Sequence, residues 1–204
     1  MSDFGTMTTR ILDELNRTDL TSQAQSAIQT SIKFYENRRF WFTEGRATAS
    51  TTSGTQYYAL PTDFLDIDSI TITVNSNTYK LTLRLYDRLE DWFVASSTYT
   101  GQPTDFAIYQ EQIRLYPVPN GTYTLTISYH KKLTALSGDT DTNAWMVQGE
   151  ELIRNHAEGL LYLGKLRDFD AAQAVRSIRD ETLSEMMKQT NGRLLTGHTK
   201  RRRM

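Results

Sequence analysis

Residues 143–189 constrain this chain most, because they hold two long helical patterns separated by only three residues. In residues 144–164, Met146, Ile153, Ala157, Leu160, Leu161 and Leu163 form a broad apolar face. In residues 168–189, Phe169, Ala172, Val175, Ile178, Leu183 and Met186 recur at the spacing that gathers side chains on one side of a helix. The short connection Lys165-Leu166-Arg167 favours antiparallel neighbours, so the pair is expected to close as a hairpin. Such a hairpin keeps an apolar side. The expectation is that N-terminal helices cover part of it and that the β-rich middle of the chain is an excursion between the two helical parts.

The N-terminal residues read as helix. Residues 9–15 form one or two amphipathic turns with Thr8 or Thr9 as cap, and Asn16-Arg17-Thr18-Asp19 breaks them. A second helix is expected from Ser22, which has capping-box spacing to Gln25; Ala24, Ile28, Ile32 and Tyr35 mark its face as far as Arg39. Phe40-Trp41-Phe42 cannot all face one side of a helix, so helix should give way to strand there, with the rings anchoring one lobe to the other.

The middle of the chain changes period from about 3.6 to 2. Residues 47–54 are rich in Ser, Thr, Gly and Ala and read as a strand end or mobile loop. Tyr57 to Leu60 is a short strand stopped by Pro61. Ile70, Ile72 and Val74 alternate with threonines, and Tyr79, Leu81 and Leu83 alternate back after Asn75-Ser76-Asn77, which predicts a hairpin. Leu89, Trp92 and Phe93 have helical spacing, as in one short helix laid on a sheet. Phe106 and Ile108 lead to Ile113 and Leu115. Tyr123, Leu125, Ile127 and Tyr129 then face one way, with Thr122, Thr124, Thr126 and Ser128 opposite, as in antiparallel sheet. The fold class is therefore α+β. Residues 1–42 and 136–190 form a helical core, residues 43–135 an inserted antiparallel β lobe, and residues 191–204 a basic tail.

Composition narrows the function classes. The chain of 204 residues has no cysteine, which excludes disulfides and thiolate zinc sites. No apolar run approaches the roughly 20 residues that span a bilayer, and the first residues have no signal-peptide core, so a soluble protein made in a cytoplasm is expected. The net charge of −1 conceals an asymmetry: Arg193, Lys200, Arg201, Arg202 and Arg203 sit in a segment without acids, on an otherwise acidic chain. A solvated end, phosphate binding and docking into an acidic groove on a neighbouring protein all fit four clustered cations. A solvated end is the default for a terminus, and the acidic remainder favours docking over phosphate binding.

Asp139, Asp141, Asn143 and Glu150 match positions one, three, five and twelve of a calcium loop. Ala144 stands where the turn needs glycine, and the residues before the loop alternate like a strand. The favoured reading is an Asn143 helix cap with Glu150 and Glu151 near the positive end of the helix dipole. Asp63, Asp66 and Asp68 form a second carboxylate group and read as turn and strand-entry residues. His130, His156 and His198 share no ligand spacing. With no phosphate loop, nucleophile elbow or Cys/His pair, neither enzyme activity nor a cofactor is expected.

Several motifs in order resemble the head-to-tail adaptor (connector) proteins of tailed bacteriophages. They are Tyr35-Glu36-Asn37-Arg38-Arg39-Phe40-Trp41-Phe42, then Tyr58-Ala59-Leu60-Pro61-Thr62-Asp63-Phe64, then Gly101-Gln102-Pro103 with Ile113-Arg114-Leu115-Tyr116-Pro117-Val118-Pro119. The similarity runs from about Ser22 to Gln189. It implies a structural virion protein at the head–tail junction: a ring, dodecameric in that family, that docks beneath the portal protein, extends the DNA channel and offers a platform to a tail or nozzle protein. Genomic DNA would pass without sequence-specific binding and no membrane is involved. On that reading Ile153, Leu160, Phe169, Val175, Ile178 and Leu183 serve the subunit interface and the basic tail docks on portal. Other virion connectors (a stopper or tail-completion protein) and a β-lobe ligand-binding module are the alternatives.

Overall fold

A computed structural model describes residues 2–96 and 99–195. In chain order the elements begin with α1 (Phe4–Glu14), α2 (Thr21–Tyr35) and a 3-10 turn at Trp41–Thr43. Strands β1 (Glu44–Ser50), β2 (Tyr57–Ala59), β3 (Phe64–Val74), β4 (Asn77–Lys80) and β5 (Thr82–Leu83) precede helix α3 (Tyr86–Ala95). Then come β6 (Thr100–Gly101), β7 (Asp105–Tyr109), β8 (Gln112–Tyr116), β9 (Val118–Pro119) and β10 (Thr124–Lys131). The chain finishes in α4 (Ala144–Gln148), α5 (Glu150–Leu161), a π-helical turn at Tyr162–Leu166 and α6 (Phe169–Leu195). This is an α+β protein with a C-terminal helical hairpin. It divides into two compact units, Met1–Thr43 with Leu133–Met204, and Glu44–Lys132.

The helical unit is built around α5. Leu152, Ile153, Ala157 and Leu161 are buried on it, and α1, α2 and α6 all pack against it. Phe4, Met7 and Ile11 of α1 and Ala24, Ala27, Ile28 and Tyr35 of α2 complete the core with Trp145, Met146 and Met186. Phe40 and Phe42 stack on each other and set their faces against the Trp145 edge, so these rings pack inside the helical unit.

Helix α1 starts earlier than the apolar pattern indicated. Asp3, not Thr8 or Thr9, is its cap, in a reciprocal capping box with Thr6. Helix α2 starts at Thr21 with no side-chain cap: the Ser22 hydroxyl bonds Gln23 and the Gln25 amide reaches Asp139, so the expected Ser22–Gln25 box does not form.

The long helix expected over 144–164 is two helices. α4 ends at Gly149, and the buried Trp145 indole lies against that residue: a Cβ there would sit 2.8 Å from the ring. Substituting Gly149→Ala forces a ring that has no room to move, and should lower the urea unfolding free energy by about 1–3 kcal/mol. The hairpin turn is tightened by the left-handed Arg167, whose N–H and that of Asp168 both reach the Tyr162 carbonyl. The Asp168 carboxylate then accepts from the Ala171 N–H and caps α6.

The second unit is two four-stranded sheets over one core. The order is β1-β10-β3-β4 in the first and β2-β8-β7-β5 in the second, with a small β6-β9 pair. All neighbours are antiparallel except β5 with β7 and β6 with β9. Leu125 faces Ile72 and Ile127 faces Ile70 across β10 and β3, and their side chains meet Phe106, Ile113 and Leu115 from the other sheet. Residues 47–50 are a strand end, fully paired: β1 runs beside β10 from Glu44 to Ser50, and residues 51–54 leave the sheet. Thr51 then fastens the chain by donating to the Gly121 carbonyl and accepting from the Tyr123 N–H. Small residues hide such a strand from hydrophobic periodicity, since backbone pairing is not written in side-chain polarity.

Candidate docking site

Within the helical unit, α6 runs beside α4 and α5 with a groove of about 630 Å³ between them. Trp41, Leu152 and Met186 supply its apolar surface; Glu151, Glu181 and Glu185 supply carboxylates. Lys188 lies 3.6 Å from Glu185, while Glu151 and Glu181 have no ion pair among the described residues. The Arg193 guanidinium, one turn beyond the groove on α6, stands 4.7 Å over the Trp41 ring. Of the five cations expected to act as a docking tail, Arg193 is thus placed on its own unit. Lys200, Arg201, Arg202 and Arg203, with His198, lie outside the described residues.

The six residues expected at a subunit interface do not form one free stripe. Ile153 is fully buried in its own core, and Leu160 and Leu183 pack partly against it. Phe169 at 68% and Ile178 at 49% are the exposed ones, with Val175 half-buried. Phe169 and Ile178 are about two and a half turns apart, so they flank the buried seam of α6 on opposite sides. Between them, on the outward face, is Ser177. The apolar spacing was correct for the seam; it could not separate residues used inside the chain from those left over.

Helix α5 also buries polar groups, of which sequence reading singled out only His156. The Arg154 guanidinium bonds Glu14 of α1 and stands 3.4 Å from Glu158 on its own helix. Burial, followed by hydrogen bonding to the Glu14 carboxyl, pushes Glu158 up to about 8. Burial, and then Arg179 and Arg176, push His156 down to about 4; its ring lies between Phe34 and Tyr35.

These two groups act on stability in opposite directions. Glu158 titrates at an ordinary 4.5 in the unfolded chain, so unfolding releases a proton between 4.5 and about 8 and stability falls as pH rises through that window. His156 titrates at 6.5 when unfolded, so unfolding takes up a proton between about 4 and 6.5 and stability rises with pH there. Only Glu158 operates between 6.5 and 8. Urea unfolding should show a loss on the order of 1 kcal/mol across that interval, removed in Glu158→Gln.

The calcium spacing is put to other uses. Asp141 accepts from the Ser137 N–H and hydroxyl and from the Gly138 N–H, bonds that lower its pKa. The carbonyls of Asp139 and Asp141 accept the Gly5 and Phe4 N–H groups, so this loop closes the start of α1. Asn143 caps α4 through Trp145 and Met146, and Glu150 pairs with Arg10. Among the described residues no three His, Asp or Glu side chains gather as a metal cluster would require.

In the β unit, Asp63 receives the Tyr129 hydroxyl at 2.8 Å, and Asp66 accepts its neighbour's N–H. The unexpected side chain there is Arg114, 2% exposed, paired with Glu90 and lying over Tyr57, Tyr86 and Phe93 at 5.1–5.6 Å. Between Ile113 and Leu115 it reads as the wet side of a strand; α3 covers that side. Among the described residues no helix is long and apolar enough to cross a membrane.

No curated protein matches the chain. A family model described as SU10 adaptor protein matches residues 2–203. With the match covering nearly the whole sequence, the chain belongs to the SU10 adaptor protein family, the structural head-to-tail adaptors of phages.

Proposed function

We propose that copies of this chain form a ring beneath the portal, lengthen the DNA channel and present a platform to the next tail protein. The observation that carries this reading is the family match over residues 2–203. The helical unit supports it physically, since α6 keeps Phe169 and Ile178 exposed beside an otherwise buried seam. A patch repeated head-to-tail around an axis closes a ring from one kind of contact. In this arrangement the α6 flanks meet neighbouring copies and the cations of residues 200–203 reach the portal. The acidic remainder of the chain suits a conduit, because like charge keeps the genome off the wall.

Mixing the purified chain with portal and sizing the product tests this. The full chain should co-migrate with portal as a multi-copy complex, and a chain shortened before Arg193 should lose most of that association. Docking retained by the shortened chain removes the tail from the proposal; no association of either form with portal removes the proposal itself.

A further inference from the structure

We infer that the groove between α6 and the α4–α5 region is the resting place of the chain's own basic segment, Lys200 to Arg203. The groove combines an aromatic face, an apolar floor and the carboxylates of Glu151 and Glu181, which have no ion pair among the described residues. That pairing of a ring with acids suits guanidinium groups, which stack on the one and bond the other. Arg193 already lies over Trp41, so the aromatic face accepts a guanidinium from this same end of the sequence.

Reach agrees with charge. At 1.5 Å per residue, Glu185 lies roughly 15 Å back along α6 from Leu195. Lys200 to Arg203 follow Leu195 by five to eight residues, or roughly 17–27 Å of extended chain. A segment that doubles back along α6 therefore brings its cations level with Glu185 and Glu181. Four adjacent cations meet a groove whose only described cation, Lys188, is already beside Glu185. The consequence is a latch: the basic segment is held on its own unit until a more acidic acceptor takes it. This interaction does not depend on the acceptor being portal.

The absence of cysteine makes the test direct. Two full-length variants each carry a cysteine at Thr199→Cys; the second cysteine is Ser184→Cys, in the groove, or Asp180→Cys, exposed on α6 outside it. Under mild oxidation at low salt, Ser184→Cys should form the intramolecular disulfide at least about fivefold faster than Asp180→Cys. Adding Glu151→Gln and Glu181→Gln should reduce the advantage about fivefold, as two exposed pairs are lost, and molar salt should do the same. Equal rates at the two positions, or an advantage indifferent to the glutamates, overturns the inference. Disulfide-linked dimers in place of the intramolecular product also overturn it, since they assign the groove to a second copy. Glu151, Asp180, Glu181 and Ser184 are all exposed, and an unchanged urea midpoint shows that the fold is intact.

Discussion

Replacing Arg114 with methionine should cost the β unit about 3 kcal/mol, the largest single loss expected outside the apolar cores. The guanidinium is 2% exposed, pairs with Glu90 and is enclosed by the rings of Tyr57, Tyr86 and Phe93. Removing one member of a buried pair leaves the other without compensation, at about 3–5 kcal/mol. Glu90 is 36% exposed and recovers some solvation, which puts the expectation at the lower end. Methionine keeps the stem volume, so the experiment isolates the charge and its stacking. The measurement is urea unfolding of the full chain with intrinsic fluorescence. A loss below about 0.5 kcal/mol would mean that the cation is dispensable and α3 is held by its apolar contacts alone.

The second large effect concerns assembly rather than folding. Phe169→Asp with Ile178→Asp should abolish ring formation while leaving the monomer as stable as before. Both side chains are exposed in the isolated chain, so nothing in the core pays for their removal. A central aromatic or aliphatic anchor contributes about 2 kcal/mol or more to an interface, and a carboxylate in its place adds a desolvation cost. Each substitution should therefore weaken the subunit contact at least about 30-fold. Light scattering on portal co-assembly mixtures reads the outcome. Rings that form unchanged would place the contact on another surface, such as Phe34 on α2, which is 57% exposed.

The parts legible in the sequence are those written in periodicity. The C-terminal helical hairpin, the hairpin of β3 with β4, and the dry face of β10 all follow from apolar spacing at 3.6 or 2. The family was legible from ordered motifs. What stayed hidden depends on partners distant in sequence. Asp3 caps α1 with help from the carbonyls of Asp139 and Asp141, and no local pattern announces that. β1 is made of small residues whose only signal is the strand they pair with. The break at Gly149 is instead local: it divides an apolar pattern that continues across it, with the Trp145 ring packed against it.

The functional residues divide along the same line. Exposed Phe169 and buried Ile153 occupy equivalent places in the pattern, and only the packing of α5 at the centre of the helical unit distinguishes them. Arg154 and Glu158 have visible i, i+4 spacing, but Glu14 reaches them from 140 residues earlier in the chain. Arg114 reads as a solvated strand residue until α3 is seen to cover it.

The central claim is that this chain works by joining copies of itself beneath a portal. Imaging the native head–tail junction by electron cryomicroscopy tests it most directly. The account predicts a closed ring of this chain in contact with portal, with Phe169 and Ile178 covered by adjoining subunits. A lone copy at the junction, with both side chains in solvent, would contradict it.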